Sequence, residues 1–536
     1  MGNRTFVYSL KLLLAFVVTT ILTAGWMSSA KDEGHDGGSG GNGQIGNQPL
    51  VAMGLTPCVD GMAGTFPCRN VDMASFLPFS DIGGGSGNDV WGWTDLSSGK
   101  EYALMGRSSG TSFVDISDPE HPVYLGNLPT HTVNSTWRGI KVYANHAFIV
   151  SEARDHGMQV FDLTQLRNVT SPPSIFSETA HYSGFSNAHT LAINEESGFA
   201  YAAGTNTCAG GLHMIDIRTP TFPTFAGCFS TDGYTHETQC VIYRGPDIEH
   251  QGKEVCFSSN EDTLTIVDVT NKGAPFQLSR TPYAYSAYTH QGWLTEDQSN
   301  FLVDDELDER TFGCNTRTHI FNVSDLDAPS PSGFYEGTST AIDHNLYVRG
   351  IYAYEANYRS GLRILDFSNI AAASLSEVAF FDVYPVDDAP EYNGAWSNYP
   401  FFASGIVVVS GIEQGLFVLR PGNPLPSPTP TPTATPTPTP VPIPAAPSNL
   451  KASAISASVI NLTWTDNSVN EDGFRIERCS GGPSCNFVQI AALGPNVGTY
   501  QDSGLTRSTM YRYRVRAYNA AGSSAYSNTA NARTSK

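Results

Sequence analysis

Four histidines occur at comparable intervals along the chain, and imidazoles arranged in this way can hold a metal ion. They are His189, His236, His290 and His344, separated by 47, 54 and 54 residues. Glu237 follows the second histidine, and Asp343 and Asn345 flank the fourth. Neutral imidazole combined with carboxylate oxygen is a common ligand set for divalent metals. The alternative is structural, because a histidine that recurs in every unit of a fold can simply satisfy buried hydrogen bonds.

The densest acidic run of the chain offers a second group of ligands. It reads Asp304-Asp305-Glu306-Leu307-Asp308-Glu309. Hard carboxylate oxygens suit Ca²⁺, so Asp304, Asp305 and Glu306 join the candidate metal ligands. The sequence leaves the cofactor unknown, and a divalent metal such as calcium or zinc is the candidate. The run lacks the D-x-D-x-D-G spacing of a calcium loop. Its other interpretation is a solvated acidic loop.

Aromatic residues precede the histidines in sequence and suggest a ligand-binding surface. Trp137 and Arg138, together with Trp91 and Trp93, are expected on the same side as the histidines, where they would suit sugars or peptides or else pack in a core. The pattern G-x-S-x-G occurs in the Gly-rich segment, where residues 37–41 read GGSGG, and between two β-rich runs, where residues 106–110 read GRSSG. Neither position is the strand-to-helix turn that a catalytic serine of this motif requires, and the chain contains no H-E-x-x-H or P-loop motif. The sequence therefore predicts no catalytic residue by motif.

The elements that must position these residues are seven repeats rich in β-forming residues. Their third strands read SFVDIS, MQVFDL, LHMIDI, LTIVDV, THIFNV, LRILDF and LFVLRP. The closing residues are Asp115, Asp162, Asp216, Asp268, Asn322, Asp366 and Arg420, at steps of 47, 54, 52, 54, 44 and 54. We interpret the recurring Asp as a turn cap. A period near 50 with only strand-like segments indicates a radial β-array.

Each repeat is expected to supply four antiparallel strands, which is one propeller blade. The seventh repeat lacks its fourth strand, because the chain passes from LFVLRP directly into a proline-rich segment. Residues 70–79 (NVDMASFLPF) resemble the fourth strands of other repeats. The predicted fold class is therefore all-β, a seven-bladed β-propeller closed by an N-terminal strand, with residues 70–79 paired near 415–420.

The phrases LTIVDV and LRILDF look like the LVIVD repeats of bacterial surface propellers. Longer segments, such as CRNVDMASFLPFS and YTHQGWLTEDQSNFLVDDELDE, resemble the choice-of-anchor B family over about residues 55–422. The resemblance implies a propeller in an exported protein joined to a variable C-terminal module. It implies no particular catalytic activity.

Five segments follow from the order of composition along the chain. We predict a signal peptide at 1–30, a disordered Gly-rich segment at 31–48, the propeller at 50–422, a Pro/Thr-rich linker at 423–444 and a small β-domain at 445–536. The last segment resembles a fibronectin type III domain, a β-sandwich. That resemblance implies that Trp464 is the core tryptophan and Tyr511 the corner tyrosine.

Charge and cysteine usage point to the outside of a cell. The net charge of −21 makes nucleic acid an unsuitable partner. After the signal peptide, no stretch is apolar enough to span a membrane. Of nine cysteines, close spacing suggests the pairs Cys58–Cys68, Cys208–Cys228, Cys240–Cys256 and Cys479–Cys485, with Cys314 left over, although sequence alone leaves connectivity open.

Two main functional hypotheses follow. The first is a secreted or cell-surface binding protein, displayed through the Pro/Thr stalk and the type III module, whose extracellular ligand is a protein, peptide or glycan. The second is a metal-dependent hydrolase or lyase that uses the histidine cluster to activate water. A third, a rigid surface spacer, requires neither ligand nor metal.

Overall fold

The structure is a computed structural model that describes residues 44–45, 48–422, 443–482, 485–519 and 521–536. The chain separates into two compact units, with the border between residues 426 and 427. The predicted signal peptide and nearly all of the predicted segments 31–48 and 423–444 lie outside the described residues.

The first unit consists almost entirely of short strands. Its first five are β1 (Gln44–Ile45), β2 (Gln48–Pro49), β3 (Met62–Ala63), β4 (Phe66–Arg69) and β5 (Val71–Pro78). The next group is β6 (Gly87–Asp95), β7 (Lys100–Arg107), β8 (Gly110–Asp115), β9 (Val123–Pro129), β10 (Arg138–Tyr143), β11 (His146–Ser151), β12 (Met158–Asp162), β13 (Ser174–Ile175) and β14 (Ala180–Tyr182). There follow β15 (Thr190–Asn194), β16 (Phe199–Ala203), β17 (Leu212–Asp216), β18 (Thr224–Phe229), β19 (Glu237–Ile242), β20 (Glu254–Ser259), β21 (Leu264–Asp268) and β22 (Phe276–Thr281). The last are β23 (Thr289–Leu294), β24 (Asn300–Asp305), β25 (Arg317–Asn322), β26 (Ser330–Glu336), β27 (Asn345–Arg349), β28 (Tyr352–Ala356), β29 (Leu362–Asn369), β30 (Ser374–Phe381), β31 (Ala395–Tyr399), β32 (Val407–Gly411) and β33 (Gly415–Pro421).

Helical structure among the described residues is confined to short segments. The one α-helix, α1, spans Asp308–Phe312, and the 3₁₀ turns span Phe79–Asp81, Leu163–Asn168, Cys208–Gly210 and Ile370–Ala372.

Seven sheets follow one another along the first unit, and almost all of their pairings are antiparallel. Their strand orders are β13-β9-β8-β7-β6, β10-β11-β12-β14, β15-β16-β17-β18, β19-β20-β21-β22, β23-β24-β25-β26, β27-β28-β29-β30-β4-β3 and β31-β32-β33-β5. Strand β13 joins the first sheet in parallel with β9, and β1 pairs with β2 separately.

The N-terminal strand β5 supplies the fourth strand of the seventh sheet. It pairs with β33 from Gly415↔Pro78 to Pro421↔Val71. This is the pairing that the incomplete seventh repeat predicts. A row of buried aromatic rings covers the junction with the sixth sheet: the Phe76 and Phe417 centroids are 4.6 Å apart, and Phe66 is 5.4 Å from Phe417.

The first strand of every sheet also contacts the first strand of the next sheet. We call β6, β10, β15, β19, β23, β27 and β31 the inner strands. Contacts run between successive members of this series, and β31 in turn contacts β6. Residues at equivalent positions of the inner strands are therefore close in space, although they are far apart in sequence.

The Asp or Asn near the end of the third strand caps a turn in six of the seven repeats, as the sequence predicts. The side chain of Asp115 accepts the backbone N–H of Ser117, and Asp268 does the same for Thr270. Four further side chains accept the backbone N–H of the residue two positions later, and they belong to Asp162, Asp216, Asn322 and Asp366. These are Asx turns, so the most regular feature of the repeat is structural.

The second unit is a two-sheet β-sandwich. Its strands are β34 (Ser448–Ala454), β35 (Ile460–Thr465), β36 (Gly473–Ser480), β37 (Val488–Leu493), β38 (Thr499–Asp502), β39 (Met510–Asn519), β40 (Gly522–Ser523) and β41 (Ala530–Arg533). One sheet is β34-β35-β38 and the other β37-β36-β39-β40, with β41 paired to β39. Trp464 lies in the buried core, and the Tyr511 hydroxyl accepts the backbone N–H of Thr506 at 2.9 Å. Both roles match those implied by the sequence resemblance.

The four disulfides expected from cysteine spacing are present. They join Cys58–Cys68, Cys208–Cys228, Cys240–Cys256 and Cys479–Cys485, and Cys314 is a free thiol. Cys240 and Cys256 are directly opposite in the β19–β20 pairing.

Candidate functional site at the inner strands

The structure brings the four predicted histidines into one continuous row. Each stands at or immediately before the start of an inner strand, and consecutive ring centroids are 4.2, 4.4 and 4.3 Å apart from His189 to His344. His236, His290 and His344 are buried, and His189 is half-buried. The row exists because the inner strands of four consecutive sheets contact one another.

All four rings use Nδ1 to bond the surrounding protein. Nδ1 of His189 is 2.6 Å from Glu152 Oε1, and Nδ1 of His290 is 3.0 Å from Asp304 Oδ1. Nδ1 of His236 donates to the carbonyl of His290, and Nδ1 of His344 to that of Trp396. A carbonyl can only accept, so Nδ1 carries the proton in these last two rings. In the neutral rings, Nε2 is then the nitrogen with the lone pair.

Glu306 joins two of the histidines through this second nitrogen. Its carboxylate oxygens lie 3.8 Å from Nε2 of His290 and 3.7 Å from Nε2 of His344. The Tyr358 hydroxyl donates to Glu306 Oε1 at 2.7 Å. One ligand atom from each of His290, Glu306 and His344 lies within 4.8 Å of the others, and all three residues are buried.

The acidic run around Glu306 is buried, so the expectation of a solvated loop is wrong. Asp304 and Asp305 end strand β24, and both have a relative exposure of at most 1%. Because alternate residues of a strand face opposite ways, the two carboxylates have different partners. Asp304 faces His290, whereas Asp305 accepts the hydroxyl of Tyr283 and the N–H of Tyr288.

Burial raises the pKa of both these aspartates above the usual range. For Asp305, the bonds from Tyr283 and the neighbouring backbone oppose this rise without cancelling it. The structure thus places Asp304 behind a histidine and Asp305 in a separate hydrogen-bond network. Of the predicted metal ligands, only His290, Glu306 and His344 form a compact ligand group among the described residues.

Trp137 and Arg138 lie beside the histidine row but have structural partners. The buried Arg138 donates to the carbonyl of Arg107 and to the Thr130 hydroxyl, and it lies 3.1 Å from His156 Nε2. Burial lowers the pKa of Arg138 to about 10. Trp137 packs against the apolar group that contains Trp396. Arg138 is therefore engaged in fixing β10 to its neighbours.

A narrow space of about 20 Å³ lies next to the row. His189, His290, His344, Trp137, Arg138 and Trp396 are among its lining residues, together with Asp89 and Glu237. Such a volume has room for about one water-sized group.

A larger cavity of about 260 Å³ lies further along the same inner strands. Its aromatic wall consists of Trp91, Trp293, Tyr347, Tyr399 and Phe401, and its polar lining includes Lys141, Glu195, Glu237 and Gln239. Glu237 lines both spaces. Trp91 was expected on the histidine side but lies here, and Trp93 instead stacks on Tyr102 at 4.9 Å.

The aromatic wall is held by close packing. The centroids of Trp91 and Tyr399 are 5.0 Å apart, as are those of Trp293 and Tyr347. Gly92 permits this arrangement, because a Cβ at that position would lie 2.1 Å from the Tyr399 ring. Sequence reasoning did not identify Trp293, Tyr347, Tyr399 or Phe401 as site residues. A signal existed, because Trp293 and Tyr347 each follow a histidine of the row by three positions.

Comparisons with known proteins identify two parts of the chain. Residues 445–533 match the model of the fibronectin type III domain, and residues 344–379 match that of the LVIVD repeat. The second match falls on the sixth sheet.

Other similarities cover only small parts of the chain. An alpha-amylase of Niallia circulans is 42% identical over 81 residues, which is 15% of this chain and 6% of that protein. The chain therefore spans only a small fraction of this curated relative. A solved Fn3-like protein of Clostridium thermocellum is 28% identical over 18% of this chain and 97% of its own, with a TM-score of 0.15. The FN5 domain of Drosophila Lar is 20% identical over 18% of this chain and 99% of its own, with a TM-score of 0.16.

The described residues contain no helix with the length and apolar character needed to cross a membrane.

Proposed function

We propose that this chain is an exported, adhesion-type binding protein whose residues 50–422 form a seven-bladed β-propeller of the choice-of-anchor B kind. Support comes from the seven successive sheets, the contacts that lead from β6 through every inner strand and back to β6, and the N-terminal strand in the seventh sheet. The LVIVD repeat in the sixth sheet agrees with this proposal.

The remaining segments fit display outside the cell. In this proposal residues 1–30 direct export, and the Pro/Thr-rich residues 423–444 separate the propeller from the type III module. The four disulfides suit an oxidising compartment. Fibronectin type III modules commonly serve as spacers or adhesive units, so binding specificity is assigned to the propeller.

The ligand site of this proposal is the 260 Å³ aromatic cavity. The observation that carries it is the wall of five aromatic side chains combined with a few polar groups at one place on the inner strands. Concave, mostly apolar spaces with a small number of converging polar groups are the usual form of small-ligand sites.

A sugar unit is the ligand class that this lining fits best. Trp293, Tyr399 and Phe401 are only half-buried, so part of their surface remains available to the apolar face of a ring. Gln239 and the carboxylate of Glu237 can bond its hydroxyls. The cationic end of Lys141 is already engaged, 4.2 Å from the centre of the Trp91 ring and 3.3 Å from Asp89. A neutral ligand therefore matches the cavity better than an anion does.

A glycan-binding experiment on the full chain tests the proposal. We expect binding to at least one member of a broad glycan panel, and the change Trp293→Ala should weaken it by about 10–100-fold, as removal of an aromatic anchor does. The matched control is Phe222→Ala, because Phe222 is 73% exposed and does not line the cavity. Absence of binding across the panel, or equal binding by Trp293→Ala and the unaltered chain, contradicts the proposal.

A further inference from the structure

We infer that His290, Glu306 and His344 form a binding site for one first-row transition-metal dication, of the Zn²⁺ type. The inference rests on the buried group of two imidazoles and one carboxylate in the histidine row. It is independent of the sugar site, because none of these three residues lines the aromatic cavity.

The distances are close to those that a metal requires. Zinc bonds to nitrogen and oxygen measure about 2.0–2.1 Å, so neighbouring tetrahedral ligands lie about 3.3 Å apart. Glu306 is 3.8 Å from Nε2 of His290 and 3.7 Å from Nε2 of His344. A contraction of a few tenths of an ångström at these two contacts would bring Glu306 to that separation from both rings, and the three ligand atoms lie within 4.8 Å of one another.

The surrounding groups orient all three ligands towards one another. Asp304 bonds Nδ1 of His290, and the Trp396 carbonyl bonds Nδ1 of His344. These bonds direct Nε2 of each ring towards Glu306. The Tyr358 hydroxyl fixes one Glu306 oxygen. Carboxylates and carbonyls in this second layer are the usual partners of metal-binding histidines, because they set the tautomer and raise the basicity of the ligand.

The ligand set selects the class of metal. Two nitrogens and one oxygen suit zinc and its first-row neighbours, whereas calcium takes six to eight oxygens. Calcium is therefore the poorer of the two ions considered from the sequence. Three protein ligands leave coordination positions for water or a further ligand, and both histidines line the 20 Å³ space where such a group would fit.

Charge in this part of the molecule favours a cation. Asp304, Asp343 and Glu309 are buried near Glu306, with relative exposures of 2% or less. Among the described residues, Asp304 Oδ2 and Asp343 Oδ1 have no hydrogen-bond partner. A bound dication would offset the repulsion among these carboxyl groups.

A second His–Asp group in the first unit provides an internal comparison. His250 lies 3.1 Å from Asp327 and 3.9 Å from Asp247. The Lys253 ammonium is 3.1 Å from Nδ1 of His250, so this group already contains a cation, and the Asp327 side chain is 53% exposed. We expect no tight metal binding there.

The test uses the full chain, stripped with a chelator and equilibrated with Zn²⁺ alone. Elemental analysis should find one zinc per chain, and Glu306→Gln should lower the affinity on the order of 100-fold or more, beyond the 10–100-fold typical of second-layer changes. Glutamine retains the shape of the side chain and an acceptor for Tyr358. Glu152→Gln, which alters the carboxyl partner of His189 at the other end of the row, and His250→Gln should retain the ion.

The outcomes separate the possibilities. No bound zinc in the unaltered chain, equal zinc in Glu306→Gln, or loss of zinc in Glu152→Gln or His250→Gln overturns the inference. If Glu306→Gln does not fold, electron paramagnetic resonance of the unaltered chain loaded with Cu²⁺ decides. Hyperfine coupling to two imidazole nitrogens supports the site, and a spectrum without nitrogen coupling overturns it. Glycan binding is measured separately, so failure here is distinguishable from failure of the proposed function.

Discussion

Four buried acidic side chains, two in each unit of this protein, lie under opposite electrostatic conditions. In the first unit, Glu355 and Asp382 are buried with polar but uncharged hydrogen-bond partners, and burial raises their pKa values to about 7 and about 6. In the type III unit, Asp502 accepts two bonds from Arg478 at 2.9 Å, and Glu477 accepts two from Arg514. Burial alone would raise the pKa of Glu477, but bonds from Tyr526 and Arg514 outweigh it and leave the pKa below the usual value.

All four side chains are buried, so the difference between them lies in the hydrogen-bonded cation and not in the degree of burial. A carboxylate that loses water without gaining a cation is penalised in its charged form. A carboxylate that gains an arginine is favoured in that form. In the type III unit, the arginine-paired Asp502 and Glu477 therefore favour the folded state. The first unit keeps many of its buried acids near the histidine row, where a bound cation would supply the missing charge.

Lys272→Met should have the largest effect on the free energy of unfolding, because it leaves a buried, cation-paired carboxylate without its cation. Within the first unit, the Lys272 ammonium lies 2.6 Å from Glu254, which also accepts from Asn194 and Tyr201. Removal of one partner of a buried pair typically costs about 3–5 kcal/mol. We expect that loss in the free energy of unfolding at pH 7, measured by denaturant titration, with hydrogen exchange assigning it to the first unit.

The control for this change is Lys100→Met. Lys100 is 51% exposed and lies 2.8 Å from Asp115, so its removal should cost less than about 1 kcal/mol. Similar losses of unfolding free energy in the two variants would mean that the buried contact between Lys272 and Glu254 stabilises the fold no more than an exposed ion pair. That result would contradict the stabilising role assigned to a cation beside a buried carboxylate.

The repeat architecture of the first unit and the convergence of its histidines could be predicted from the sequence. A period near 50 places equivalent residues on equivalent strands, so the four histidines could be expected to converge before any coordinates were known. The same reasoning predicted the pairing of β5 with β33 and, from spacing, the four disulfides.

The environment of the acidic run was not accessible in the same way. Six residues with five carboxylates read as a solvated loop, because charged side chains are seldom fully buried without a partner. In the structure, Asp304 and Asp305 still belong to β24, and α1 carries Asp308 and Glu309 into the interior. Which end of an inner strand faces which cavity also depends on the packing of all seven sheets. The shared offset of three residues from a histidine of the row marks Trp293 and Tyr347 as equivalent positions, but it does not show that they face a cavity.

Glu355→Gln should have a smaller effect on the free energy of unfolding than Lys272→Met, and it should stabilise the fold instead of destabilising it. The pKa of Glu355 rises from the usual 4.5 to about 7, because burial outweighs the bonds from Thr318 and Asn357. The ionised form is therefore disfavoured in the folded state, and stability should fall as pH rises from about 4.5 to about 7. At pH 8 the neutral glutamine should raise the free energy of unfolding by about 3 kcal/mol, since each pKa unit corresponds to about 1.4 kcal/mol.

The advantage of Glu355→Gln should vanish near pH 4, where the native side chain is protonated in both the folded and unfolded states. Denaturant titrations at pH 4 and pH 8 measure this difference. Glu391→Gln is the control, because Glu391 is exposed and should give no change at either pH. A destabilised Glu355→Gln at pH 8 would show that an ionised, buried Glu355 is favourable and would break the contrast between the units.

Glu477→Gln should have the smallest effect on the free energy of unfolding, and its sign and pH dependence should be the reverse of those of Glu355→Gln. Because the pKa of Glu477 is lowered in the folded state, its contribution is present above about pH 4.5 and is lost as pH falls through the folded value. At pH 7, weakening of the bonds from Arg514 should cost about 1–2 kcal/mol, and the cost should shrink towards pH 3. Hydrogen exchange of strands β36 and β39 measures it, with Asp472→Asn as the exposed control. Glu477 is bonded by an arginine, whereas Glu355 is not. If the changes in the free energy of unfolding of Glu355→Gln and Glu477→Gln instead depend on pH in the same way, then the arginine does not determine how the buried acid affects stability.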